Sequence, residues 1–200
     1  WQWVRGHDGN PDNERADGIA VGMARELLNL GGVELGSNNN EESAGLSHVD
    51  MHGNATMVDV GWKDATSREA EARGSVFMKK ETLNLIKKGE MQKGDVLSVA
   101  RISGIMAAKH TSDLIPLCHP LPIDQVTISL DLDESNNKID ISAIVRTFAK
   151  TGVEMEALTA VSVTALTVYD MCKAVDTGIN IQNIRLVRKQ GGKRGSVVFE

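Results

Sequence analysis

Asp170 and Lys173 stand three residues apart, just after a stretch from Ala157 to Tyr169 that holds no charged residue. On a helix, positions i and i+3 are neighbours, so a carboxylate and an ammonium would meet there. Read plainly, they are a surface ion pair worth ~0.2–0.5 kcal/mol, with Lys173 also satisfying the helix C-terminus. Read chemically, they emerge at the edge of a buried region. Partial desolvation there moves a lysine pKa towards neutrality and makes the pair a usable acid and base.

Leu117-Cys118-His119 lies among Pro116, Pro120 and Pro122, three of the four prolines in the chain. Proline fixes φ and restricts its neighbours, so His119 belongs on a rigid loop, suited to phosphate contact or proton transfer. A hydrogen-bonded structural histidine is the simpler alternative. Adjacent Cys and His cannot easily hold one metal, and no second ligand pair accompanies them, so zinc has little support. Glu154-Met155-Glu156 opens a helix. Glu154 there complements the helix dipole and Thr151 completes a capping box with it. Glu156 has no such duty, and its carboxylate suits the planar N–H edge of a guanine-like ring. Lys93, Lys109, His110, Lys150, Lys189, Lys193 and Arg194 form a scattered basic set, the last three flanking Gly191-Gly192. Glycines allow an anion close to backbone N–H groups with cations alongside.

These residues need elements to hold them. Glu81–Lys88 predicts a short helix stopped by Gly89, and Gly94–Asp113 a longer one ending before Pro116. Ser75–Met78 predicts the start of a strand. Val126, Ile128, Leu130 and Leu132 alternate with polar residues, as do Ile139, Ile141, Ala143 and Val145; Glu134–Asn137 joins them in a hairpin. The helix over Thr151–Lys173 is apolar nearly all round, so it belongs between a sheet and another surface, plausibly a second subunit. Ile184–Lys189 and Ser196–Phe199 predict two closing strands. Helices, a hairpin, a long helix and more strands, with no repeating βαβ unit, give an α+β fold with an antiparallel sheet.

At 41% hydrophobic and 24% charged residues the chain has the composition of an ordinary globular protein able to bury a core unaided. A net charge of −5 argues against a general nucleic-acid or anionic-membrane binder, and no apolar run is long enough to span a membrane. Cys118 and Cys172 are no disulfide framework and read as reduced thiols. Residues 1–45 read as an N-terminal extension, flexible or fusion-derived, and residues 46–200 as the catalytic domain. The chain begins with Trp1 and reads as a fragment or processed form, which leaves targeting open.

Met57-Val58-Asp59-Val60, Lys93-Gly94-Asp95-Val96, Leu114 through Pro120, Lys150 through Thr159, Tyr169 through Ala174 and Gly191-Gly192-Lys193 occur in that order. Together they resemble the MoaC family of cyclic pyranopterin monophosphate synthases, from about Leu46 to the C-terminus. Ala149, where a glycine is common, is a mild departure.

The resemblance implies a ferredoxin-like α+β subunit in a hexamer, a trimer of dimers with active sites at dimer interfaces. It implies a lyase of molybdenum cofactor biosynthesis that converts 3′,8-cyclo-7,8-dihydro-GTP to cyclic pyranopterin monophosphate and pyrophosphate, and a functional link to the radical enzyme that makes this substrate. By the same analogy Lys173 is the general acid, Asp170 holds or deprotonates it, and Lys93 is a second catalytic lysine. Lys189 and His119, with Arg68 and Lys109, would neutralise the phosphates. Glu154 or Glu156 with Met155 would seat the guanine-derived ring, and Leu117, Cys118 and His119 would line the pocket. No cofactor is certain from the sequence, which leaves open whether magnesium accompanies the triphosphate. The compartment implied is the cytoplasm of a prokaryote or the mitochondrial matrix of a eukaryote. A non-catalytic nucleotide-binding module of the same fold is the alternative.

Overall fold

The computed structural model describes residues 54–193 and 195–199. The N-terminal extension over residues 1–45 and Arg194 lie outside the described residues. The chain order is β1 (Thr66–Phe77), α1 (Lys80–Lys88), α2 (Val96–Lys109), α3 (Thr111–Leu114), β2 (Gln125–Asp133), β3 (Lys138–Ala149), α4 (Glu154–Cys172), β4 (Asn180–Gln190) and β5 (Ser196–Val198). One antiparallel sheet runs in the order β2-β3-β1-β4-β5. With β3 between β1 and β2, and helices making both crossovers, the arrangement is the ferredoxin-like split βαβ, as expected, with β5 added at one edge.

Period-two patterning decides which face meets the helices. In β1, Ala70, Ala72 and Val76 are buried, and in β3 Ile139, Ile141, Ala143 and Val145 are. Glu69, Glu71 and Arg73 point the other way and form a ladder of ion pairs with Arg146 and Arg188. Such pairs add little stability but keep that face wettable. β1 is far longer than the Ser75–Met78 start expected for it. Ahead of Val76 its buried face is built from Ala70, Ala72 and Gly74, which give little apolar alternation to read. The 125–149 hairpin matches expectation, with Asp133 opposite Lys138 and Asn137 at φ 52° in the turn.

Helix α4 lies on the sheet and packs beside α2, so part of its second surface is the chain's own helix, while Leu166 on α4 stays exposed. The crossing is very close at Gly104 of α2, where a Cβ would lie 2.1 Å from Thr164 Oγ1 and 3.0 Å from the Ala160 carbonyl. Only glycine permits that approach. The capping box expected of Thr151 and Glu154 is not formed. The helix begins at Glu154 and Val153 offers no side-chain cap. The Glu154 carboxylate turns instead to Lys189, 3.0 Å away. The single helix expected over Gly94–Asp113 breaks at His110 into α2 and α3.

The far end of α4 is tied down by Asp176, which is 1% exposed. Its Oδ2 accepts from the Lys79 N–H (2.8 Å) and the Thr82 hydroxyl (3.1 Å), and its Oδ1 from the Gly178 N–H (2.9 Å). It thus supplies the start of α1 with the cap its own sequence lacks. Burial works to raise the Asp176 pKa, but the Lys79 and Gly178 N–H groups, the Thr82 hydroxyl and the Lys79 charge outweigh it and hold the pKa below the ordinary value. Asp176→Ala leaves the buried Thr82 hydroxyl and two part-buried N–H groups without their acceptor and is expected to cost roughly 1–3 kcal/mol in denaturant unfolding. Because the folded pKa is depressed, the ionic part of this stability is present above the ordinary Asp value and is lost as pH falls through the folded one. A loss under about 0.5 kcal/mol would contradict the clasp.

Candidate active site

Three charged groups meet at the C-terminal end of α4. Asp170 Oδ1 lies 2.7 Å from Lys173 Nζ, and Asp170 Oδ2 lies 2.9 Å from Lys93 Nζ, which also donates to the Asp170 carbonyl at 2.8 Å. Lys93 arrives on the loop between α1 and α2 of the same chain. Hydrogen bonds from Lys173 and Lys93, reinforced by their charges, hold the Asp170 pKa at about 2. The hydrogen bond and charge of Asp170 in turn raise the Lys173 pKa. This corrects the expectation that desolvation would bring Lys173 towards neutrality. Both side chains are more than half exposed, so the carboxylate governs. In the single chain Lys173 is a firmly protonated acid.

A different kind of site opens at the N-terminal end of α4. A cavity of ≈ 380 Å³ is lined by Leu117, Cys118, His119, Glu154, Met155 and Glu156, together with Lys63 and Val58. Glu156 is 4% exposed and has no partner side chain among the described residues. Burial, and then the charge of Glu154, raise its pKa. A carboxylate held this way is stabilised by any ligand that brings N–H donors. Burial, and then Glu156, also push the Cys118 pKa up, so it stays a thiol and serves as a wall. The His119 Nε2–H donates to the Val58 carbonyl at 2.9 Å, which fixes the ring and leaves Nδ1 as an acceptor while the ring is neutral.

Two further cavities, of ≈ 400 and ≈ 190 Å³, adjoin this one, and all three share Gly152. They form one bent cleft whose far arm is cationic. Arg68, Lys63, Lys150 and Lys193 line it, with Lys189 in the smaller cavity. Arg68 donates to the Ala149 and Lys150 carbonyls at 3.4 Å. Gly191 and Gly192 turn at φ 105° and 71° beside it, and a Cβ on Gly192 would lie 2.0 Å from Arg68 Nη1. The glycine pair expected to admit an anion thus admits the guanidinium that would bind one.

Sequence reading found most of this cleft and missed some of it. Lys63 and Trp62 carried no signal, because the loop that delivers them is tied to the rest by a remote contact, Lys150 Nζ to the Gly61 carbonyl at 2.6 Å. Lys109, exposed in the last turn of α2, lines none of these cavities, and His110 is engaged with Asp113 at 2.8 Å. The acid–base cluster stands apart as well. From Glu154 to Asp170 a helix rises ~24 Å, at about 1.5 Å per residue.

The MoaC family model matches residues 57–192. The chain is 59% identical to the cyclic pyranopterin monophosphate synthase of Roseiflexus castenholzii over 78% of its own length and 98% of that protein. It is 59% identical to the synthase of the same name from a Thermoanaerobacter species, over 75% of this chain and 95% of the relative. With that of Chloroflexus aurantiacus the identity is 57%, over 75% and 92%.

Proposed function

We propose, from the premise that this chain belongs to the MoaC family, that it converts 3′,8-cyclo-7,8-dihydro-GTP to cyclic pyranopterin monophosphate and pyrophosphate. It is then a lyase of molybdenum cofactor biosynthesis. The observation that carries this reading is a single cleft with two chemistries: a buried carboxylate at one arm and a bank of cations at the other.

The residues divide the work accordingly. Glu156 takes the N–H edge of the guanine-derived ring, with Met155 against its face and Leu117 and Cys118 as walls. Lys189, Arg68 and Lys63 stabilise the triphosphate and the charge that grows on the leaving pyrophosphate as the remaining phosphate cyclises, and His119, whose Nε2–H is taken by Val58, would join them through Nδ1–H only as an imidazolium. Lys173 donates a proton during ring rebuilding, with Asp170 holding it and Lys93 completing the cluster. Lys109 would serve phosphate only from a neighbouring chain. Asp64 also lines the cationic arm, and it is the carboxylate there that a magnesium ion carried in with the triphosphate would meet.

The ~24 Å between ring pocket and acid–base cluster exceeds what one small substrate bridges, so we assign the two halves of each site to different copies. Val99, Ile102 and Met106 on α2 and Leu166 on α4 remain exposed in one chain. A second copy laid antiparallel over them would set the end of its α4 towards the start of the first. A trimer of such dimers is the assembly the reading favours. No helix among the described residues is long and apolar enough to cross a membrane, and the bacterial relatives favour the cytoplasm as the compartment. A radical enzyme that forms the 3′,8 bond would supply the substrate.

Incubation with 3′,8-cyclo-7,8-dihydro-GTP should release pyrophosphate and the cyclic monophosphate in equal amounts. Tight binding with no turnover would instead leave a non-catalytic module.

A further inference from the structure

Trp62 is two-thirds exposed at the tip of the loop before β1. The loop is not slack: Lys63 N–H donates to the Val60 carbonyl, and Gly61 N–H to Asp59 Oδ1. Two ammonium groups approach the same indole, Lys63 Nζ and Lys193 Nζ, each 5.3 Å from the ring centroid. One comes from the loop itself and the other from the Gly191-Gly192 turn. All three side chains line the ≈ 400 Å³ cationic arm. Among the described residues neither lysine has a carboxylate partner, whereas Lys189 is paired with Glu154 and Lys93 with Asp170.

An aromatic face attracts a cation without neutralising it. A carboxylate in that place would hold the lysines equally well and cancel the charge they offer. We infer that Trp62 is a positioning residue, an indole post that holds Lys63 and Lys193 together at the cationic arm so that they receive the condensed phosphate leaving the reaction. This deepens the functional reading above and rests on it. The ligand class is pyrophosphate rather than monophosphate, because two ammonium groups gathered at one ring suit a multiply charged anion that can reach both.

The test uses the full chain and two probes, pyrophosphate and inorganic monophosphate, with Trp62→Ala and Trp62→Phe beside wild type. Calorimetric titration of Trp62→Ala should show pyrophosphate binding weakened about fivefold or more, with monophosphate affinity little altered. kcat/KM should fall by a similar factor, and phenylalanine, which keeps a π face, should restore most of the loss. Pyrophosphate should also shift tryptophan emission in wild type and not in Trp62→Phe, since drawing two cations off the indole changes its environment. Equal pyrophosphate affinity in wild type and Trp62→Ala overturns the assignment, as does a loss that Trp62→Phe does not restore. Wild type that turns over while Trp62→Ala is indistinguishable from it refutes the post alone. Wild type that neither turns over nor binds pyrophosphate refutes both this inference and the function it rests on.

Discussion

Lys173→Ala should lower turnover by ~10²–10⁴, the range that a lost proton donor costs, while leaving folding unchanged. The side chain is half exposed, and its ion-pair partner is Asp170. Removing it deletes no core contact and leaves Asp170 bonded to Lys93 at 2.9 Å. A surface change of this kind alters stability by no more than about 0.5 kcal/mol. Pyrophosphate release, thermal melting and size-exclusion elution, measured on one preparation, separate chemistry from fold. Activity within tenfold of wild type would remove Lys173 from the mechanism. Its pH dependence is informative too. Because Asp170 sits at about 2 and Lys173 is raised, neither titrates near neutrality in the free protein. An acid limb above the ordinary carboxylate range would report Glu156, whose pKa burial lifts.

Mixing two dead variants should give live enzyme. If one copy seats the ring and another supplies the proton, Glu156→Gln and Lys173→Ala fail for reasons housed in different halves of each site. Equal mixing with free subunit exchange makes about half of the dimers mixed, and each of those has one doubly defective site and one intact site. About a quarter of wild-type activity should return, well above what either protein shows alone. The mixture must first be dissociated and reassociated, with wild type carried through the same cycle as the reference. If wild type recovers and the mixture stays dead, ring pocket and acid–base cluster do not meet between copies, and the composite site is wrong.

Much of the frame was legible because it rests on periodicity. The 125–149 hairpin, the charge-free α4 and the helix stop at Gly89 are local patterns that tertiary structure had no reason to override. Asp170 with Lys173 was visible for the same reason, since i and i+3 spacing is a helix property. The errors arose where a distant residue competed. Thr151 and Glu154 have the spacing of a capping box, yet Lys189, 35 residues away, offers Glu154 a full charge instead of an N–H. Asp176 caps a helix 97 residues earlier in the chain, a pairing no local window contains. The Lys173 pKa was misjudged because an uncharged helix was read as a dry surrounding, whereas its last turn projects into water. That Lys93 joins Asp170 follows only from how the 89–95 loop folds back.

The contact at Gly104 has a mechanical consequence. Ridges of side chains can ordinarily slide past one another by small amounts, and many enzymes close by such shear. With backbone, hydroxyl and methyl atoms meeting where a glycine has no side chain at all, α2 and α4 have no clearance to glide. The helical layer is a keel. Both ends of α4, and with them the ring pocket and the Asp170 cluster of one chain, are thereby held at a fixed separation.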